Sequence, residues 1–139
     1  MNTYQLQNFL ERDPFISQLK TGVLSADKLH VINTKENIRQ CYIINTQPST
    51  EPGLHWICIY IGSGDKNVEF WDSLGQKPWT YGTYFKDFFR NKIFLYNNKQ
   101  LQGYDETCGH FCLYFAFYRS RGYSIKAIAN SFTSDKSFK

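Results

Sequence analysis

Residues His55 to Ile61 read His-Trp-Ile-Cys-Ile-Tyr-Ile, seven residues that are apolar almost throughout. A half-exposed strand alternates apolar and polar residues, and a surface helix repeats its apolar residues every three to four positions; this segment does neither. A short unbroken apolar run belongs to a strand covered on both faces, so the chain needs a sheet with further structure packed on each side. The turn Gly62-Ser63-Gly64-Asp65 follows, and then a second strand, Val68 to Asp72. Together they predict a hairpin with polar residues at its open end.

The other elements fall around this hairpin. Thr3 to Glu11 patterns as a short helix with Leu6, Phe9 and Leu10 on one face, ended by Asp13-Pro14. Lys20 to Arg39 reads as loop, Cys41 to Asn45 as a buried strand, and Thr46 to Gly53, with two prolines, as loop again. Trp79 to Phe89 is expected to be helical, Lys92 to Tyr96 a strand, and Cys108 to Arg119 an apolar helix ending near Gly122. A last amphipathic helix, Ser124 to Phe132, opens on Ser124 as its cap. The order α-β-β-β-α-β-α-α defines an α+β class, with a central mixed but mainly antiparallel sheet flanked by helices.

Length and composition narrow the setting. The 139 residues suit a single domain over 1–139. At 42% hydrophobic and 18% aromatic the chain is far from a disordered profile, and its core is expected to be built on rings. The net charge of +4 is spread along the chain. Lys86, Arg90, Lys92 and Lys99 form the longest local excess, which permits weak nucleic-acid binding without requiring it. Four cysteines without a signal peptide argue against a secreted disulfide scaffold. No stretch approaches the ~18 apolar residues of a membrane span. An intracellular monomer with reduced thiols and no membrane association is expected.

The chemistry concentrates where a polar, glycine-containing loop, Leu101 to Thr107, runs into the apolar helix that starts at Cys108. Unpaired N–H groups and the helix dipole at such a terminus favour an anion and lower a thiol's pKa. The dipole alone supplies only ~0.3–1 kcal/mol, so a facing histidine is needed. A free cysteine is more often a small buried hydrophobe, which is how Cys41, Cys58 and Cys112 read. His55 opens the buried strand, near the edge of the sheet, and Asp72 closes its hairpin partner, so the two lie side by side. Asp72 is then able to hold imidazole Nδ1 and turn the other nitrogen toward a thiol. Each has a plainer explanation, His55 as a structural or surface residue and Asp72 as the cap of the turn Ser73-Leu74-Gly75. Gln102, six residues before Cys108, could aim its amide at an oxyanion beside the Cys108 N–H. It could equally be an ordinary loop residue, and Gln100 competes for the role.

The pieces Gly53-Leu54-His55-Trp56, Phe70-Trp71-Asp72-Ser73-Leu74-Gly75 and Gln102-Gly103…Cys108-Gly109-His110-Phe111-Cys112 resemble the adenain family, the adenovirus-type endopeptidases. They also resemble the wider Ulp/SUMO-specific protease group. Upstream, Phe15…Gly22-Val23…Asp27…Leu29 and Tyr42-Ile43-Ile44-Asn45-Thr46 look like the adenain N-terminal region. The resemblance runs from about Leu6 to Gly122. It implies a cysteine endopeptidase with Cys108 as nucleophile, His55 as general base, Asp72 as orienter and Gln102 as oxyanion donor. Trp56 would pack beside the site, and Gly109 would let substrate backbone approach. It further implies viral capsid or core precursors as substrates, and a host nucleus, a cytoplasmic viral factory or the virion as the location. No cofactor would be required, although members of the family are activated by a peptide or DNA. Two departures stand out. Adenovirus enzymes carry Glu where this chain has Asp72, as Ulp enzymes do, and Lys86 to Leu101 holds no cysteine to tether an activating peptide through a disulfide.

Three other readings compete. Structural zinc is disfavoured, because Cys108, His110 and Cys112 are spaced by two, which points them to different helix faces, and no Cys-x-x-Cys pair exists. His110 is expected on the helix surface or a pocket rim. A non-catalytic binding module on the same fold would not need all four residue types. An isopeptidase acting on a ubiquitin-like protein shares the chemistry and differs only in substrate.

Overall fold

The computed structural model describes residues 1–51, 55–63, 67–101 and 107–134. Helix α1 (Thr3–Arg12) precedes strands β1 (Lys20–Ser25), β2 (Gln40–Asn45), β3 (Trp56–Ile61) and β4 (Val68–Trp71). Helix α2 (Thr83–Phe89), strand β5 (Phe94–Tyr96) and helices α3 (Cys108–Ser120) and α4 (Ile125–Ser134) complete the order. The five strands lie in sequence order, with β3 in the middle. The protein is an α+β fold with a mixed sheet.

Three expectations need correction. The sheet is not mainly antiparallel: β2–β3 and β3–β4 are antiparallel, whereas β1–β2 and β4–β5 are parallel. The segment from Lys20 to Arg39 is not all loop, since it contains β1 and a 3₁₀ turn, Ala26–Val31. Strand β1 was hidden because Lys20-Thr21-Gly22 interrupts any apolar pattern, and its pairing partner β2 supplies the order it lacks locally. The expected helix Trp79 to Phe89 is two pieces, a 3₁₀ turn (Pro78–Tyr81) and α2, parted at Gly82 with φ 108°.

The apolar run behaves as its pattern requires. Ile57, Cys58, Ile59, Tyr60 and Ile61 are all buried, and alternate side chains enter two different cores. Cys58 and Tyr60 join Leu6, Leu10, Trp71, Cys112 and Phe115 under α1, α3 and α4. Ile57, Ile59 and Ile61 join Phe70, Phe85, Phe88 and Phe89 under α2. Rings carry much of both: Trp71 stacks on Phe115 at 4.8 Å and 13°, and Phe70 meets Phe85 and Phe89 edge-on. An offset ring pair adds ~0.5–1.5 kcal/mol beyond its buried area.

Caps and ion pairs fix the ends of the helices. Asn2 and Gln5 form a reciprocal capping box at the start of α1 (2.8 and 2.9 Å). Ser124 Oγ accepts from Ala127 N at 3.1 Å, the expected cap of α4. Arg121, just past α3, binds both carboxylate oxygens of buried Asp13, which ends α1. Arg119 spans buried Glu69 in the same two-pronged way at 2.8 and 2.9 Å, a geometry suited to a planar guanidinium.

After β4 the chain turns sharply through Gly75, whose φ is +71°. A Cβ there would fall 2.5 Å from the Lys99 carbonyl carbon and 2.8 Å from Gln100 N. Glycine thus allows the Asp72–Gly75 turn to lie directly against the 99–101 segment, which Leu101 N–H also joins through Ser73 O at 2.7 Å. Gly75→Ala should destabilise the protein by about 2 kcal/mol or more, through the left-handed backbone and the clash. Thermal or urea denaturation measures it, and a loss below ~0.5 kcal/mol would contradict this account.

Candidate active site

The N-terminal end of β3 and the C-terminal end of β4 lie at the same end of the sheet, because the two strands are antiparallel in the register Cys58↔Trp71. His55 immediately precedes β3 and Asp72 immediately follows β4. The imidazole therefore sits at the end of the central strand and not at a lateral edge of the sheet. Helix α3 lies across this hairpin with Cys112, Phe115 and Ala116 buried, and Trp71 Nε1 donates to Phe111 O at 3.0 Å. That stripe fixes the helix's rotation. Cys108, one turn before Cys112, is thereby brought to the same end as His55 and Asp72.

The three side chains lie together at this end of the sheet. His55 Nε2 lies 2.6 Å from Asp72 Oδ1, and the imidazole and the Cys108 thiol are near enough to shift each other's titration. The nitrogen on the carboxylate is thus Nε2, not the expected Nδ1. The backbone N–H of Trp56 donates to Cys108 Sγ at 3.4 Å. His55 retains 11% side-chain exposure, and Asp72 none.

Electrostatics follow from these contacts. Burial alone would lower the His55 pKa, but the hydrogen bond to Asp72, the bond to Cys108 and both charges outweigh it, raising the group from 6.5 to about 9. Burial would push the Cys108 thiol up; the His55 hydrogen bond, the Trp56 N–H and the nearby imidazolium overcome that and pull it down. These contacts shift the pair toward thiolate and imidazolium. Fully buried Cys58 and Cys112 are pushed well up, first by burial. Cys41 and Cys58 lie sulfur to sulfur at 3.6 Å inside the core. His110 is exposed, as expected.

Asp72 does more than hold the histidine. Its Oδ1 also accepts from Leu74 N (3.0 Å), and its Oδ2 accepts from Gln76 N (3.1 Å) and Tyr81 Oη (2.5 Å). The turn-capping role and the histidine contact thus coexist on one carboxylate. Asn97 clamps the Asp72 backbone, accepting from its N–H at 2.9 Å and donating to its carbonyl at 2.6 Å. Tyr81 packs on the imidazole with ring centroids 5.6 Å apart. Burial and then the Asp72 hydrogen bond push the Tyr81 phenol far up, so it stays a neutral donor. Sequence reading missed Tyr81 and Asn97. Nothing in a Pro-Trp-Thr-Tyr turn or in the dipeptide after β5 distinguishes them from ordinary loop residues.

The remaining expected site residues divide. Trp56 packs beside Cys108, its indole N–H donating to Met1 O at 3.1 Å. Gly109 is buried, and a Cβ on it would stand 3.3 Å from Met1 Cβ and 3.5 Å from Trp56 Cδ1. Gln102, expected as the oxyanion donor, lies outside the described residues, as do Gly53 and Leu54. Of the candidate polyanion residues, Arg90 pairs with Asp87, Lys92 donates to Phe88 O and Lys99 donates to Asn130. Among the described residues no group of three or more His, Cys, Asp or Glu could hold a metal ion, and no helix is long and apolar enough to cross a membrane. No protein-family model matches the chain, and no curated protein matches it.

Two measurements probe the pair. Iodoacetamide should alkylate Cys108 at pH 7 at least tenfold faster in the wild type than in His55→Ala, because the thiolate is the reacting form; equal rates would contradict the ion pair. Because the folded pKa of His55 lies above its unfolded value, its charged form stabilises the fold fully below pH 6.5. That contribution is lost as pH rises from 6.5 to about 9, so the stability gap between wild type and His55→Ala should shrink over that window. Tyr81→Phe removes one donor from Asp72 and should slow Cys108 alkylation by about tenfold, while an unchanged rate would reduce Tyr81 to packing.

Proposed function

We propose that the protein is a cysteine peptidase. The observation that carries this reading is the single imidazole shared between a buried carboxylate and a thiol at a helix N-terminus, with a backbone N–H on the sulfur. In this reading His55 holds the Cys108 proton, and the thiolate attacks a scissile carbonyl to form a C–S bond. The oxyanion rests on the Cys108 N–H together with Gln102. His55 then protonates the leaving amine, and water, deprotonated by the same imidazole, hydrolyses the thioester. Asp72 keeps the ring oriented and offsets its charge, and Tyr81 and Asn97 keep Asp72 in place.

A family assignment belongs to the same proposal. The chain order of His55, Asp72, Gln102 and Cys108 and the motifs around them support an adenain-like enzyme within the Ulp group. Its substrates would then be viral capsid or core precursors, cut during virion maturation. The Asp at position 72, as in Ulp enzymes, also suits a deconjugase of a ubiquitin-like protein.

Incubation with a candidate precursor, with and without DNA, followed by mass mapping of the cuts, tests the peptidase. A parallel incubation with Gly-Gly-linked ubiquitin-like conjugates tests the deconjugase. Cys108→Ala should abolish turnover in whichever assay is positive and leave the thermal midpoint nearly unchanged. Asp72→Asn should lower turnover by ~10⁴-fold, the loss seen when a triad imidazole loses its orienting charge. Retained cleavage by Cys108→Ala would refute the assignment.

A further inference from the structure

The 3₁₀ turn Pro78–Tyr81 serves two sides of the molecule. Tyr81 donates to buried Asp72, while Trp79, two residues earlier, is 48% exposed. Neither of the other tryptophans is exposed. A large ring left half in water is held in place here: it meets Phe94 edge-on at 5.8 Å, and Lys77 Nζ lies 5.4 Å from its centroid. Helix α2 supplies the facing side, with Lys86, Phe89 and Arg90 at i, i+3 and i+4 on one face. Trp79, Lys86, Phe89 and Arg90 together line a recess of about 510 Å³, within the size range of ligand sites. Phe89 is buried and Lys86 and Arg90 are exposed, so the recess has an aromatic floor and a cationic rim.

The chemistry of this lining is one-sided. An indole, an ammonium and a guanidinium donate hydrogen bonds, and none of the four lining side chains can accept one. Among the described residues no hydrogen bond or ion pair engages the Trp79 indole N–H or the Lys86 ammonium. Arg90 Nη2 binds Asp87 at 2.8 Å, which leaves its other N–H groups. Lys77, Lys86 and Arg90 thus outweigh Asp87 around the recess, and the group that fits is anionic and rich in acceptors, on an apolar body. A nucleic-acid backbone needs a track of cations leading onward. The next candidates do not extend one, because Lys92 donates to Phe88 O and Lys99 to Asn130. A single ring-lined recess with cations at its rim instead matches one aromatic side chain with carboxylates beside it, over which the alkyl stems of Lys86 and Arg90 can pack.

We propose that this recess docks an acidic segment of a partner polypeptide, one aromatic side chain of which sits between Trp79 and Phe89 while neighbouring carboxylates meet Lys86, Arg90 and the indole N–H. The surface uses none of His55, Asp72 or Cys108, so it stands apart from the peptidase reading. The probe is the peptide Gly-Asp-Glu-Phe-Glu-Asp-Gly, titrated by calorimetry at low salt while the indole N–H resonances of the three tryptophans are followed. Two altered peptides, one with Ala for Phe and one with Asn and Gln for the acids, and a short oligothymidylate complete the set.

Each altered peptide should bind about tenfold more weakly than the parent, and the parent should shift the Trp79 indole resonance while leaving those of Trp56 and Trp71 in place. Trp79→Ala and Lys86→Glu should each weaken parent binding about tenfold. Lys86 is exposed, so Lys86→Glu should keep the wild-type thermal midpoint and the wild-type alkylation rate of Cys108. A peptide with Lys in place of one Glu should regain part of the affinity lost in Lys86→Glu. No binding of the parent, equal binding of the parent and the neutral peptide, or unchanged affinity in Lys86→Glu would overturn the inference. Tighter binding of the oligothymidylate than of the parent would also overturn it, by making this a nucleic-acid surface. Any of these results would leave the peptidase reading intact, since that reading is decided at Cys108.

Discussion

A carboxylate with no exposure to water, at the end of the central hairpin, is the constraint on which the site depends. Buried without donors, Asp72 would be intolerable. Among the described residues it finds four donors: the His55 ring, two backbone N–H groups of its own turn and the Tyr81 phenol. Each donor comes from a different stretch of loop or from the turn itself, so satisfying one charge fixes several segments at once. Asn97 extends the arrangement by treating the Asp72 backbone as one more rung beyond β5. The loops around the candidate nucleophile are thus ordered by polar contacts, while the sheet beneath them is ordered by apolar burial.

The two kinds of order meet in α3. Its inner stripe packs against Trp71 and Cys58, and that packing fixes where its first residue points. Cys108 and Cys112 sit one turn apart on the same helix with opposite electrostatic fates. At the helix start, a histidine and a backbone N–H overcome the cost of burial, and four residues further in nothing does. The opposite shifts of the two thiols are therefore set by about one helical turn of depth.

Much of this was readable from residue order. The run from His55 to Ile61 required a sheet covered on both faces, the short turn after it brought residues 55 and 72 together, and the polar-to-apolar switch at Cys108 marked a helix start. Other features depend on partners distant in sequence. Strand β1 has little local signature and exists because β2 accepts it in parallel register. The parallel pairing at both margins is set by crossovers through a 3₁₀ turn and through α2, which no short-range pattern encodes. Tyr81 and Asn97 acquire their roles only once Asp72 is buried between them. The ring nitrogen that meets the carboxylate depends on which way the imidazole enters from the residue before β3, a matter of χ angles that spacing cannot convey.

The order in which these pieces leave the ribosome carries a final consequence. The imidazole and its carboxylate are made well before the thiol, and the sheet face carrying Cys58, Tyr60 and Trp71 has no complete cover until α3 and α4 arrive. A nascent chain that has not yet released α3 therefore holds the imidazole and the carboxylate without the thiol, with an apolar face still open. The polar cluster and the apolar core are completed by the same late helix, so neither is whole early during synthesis.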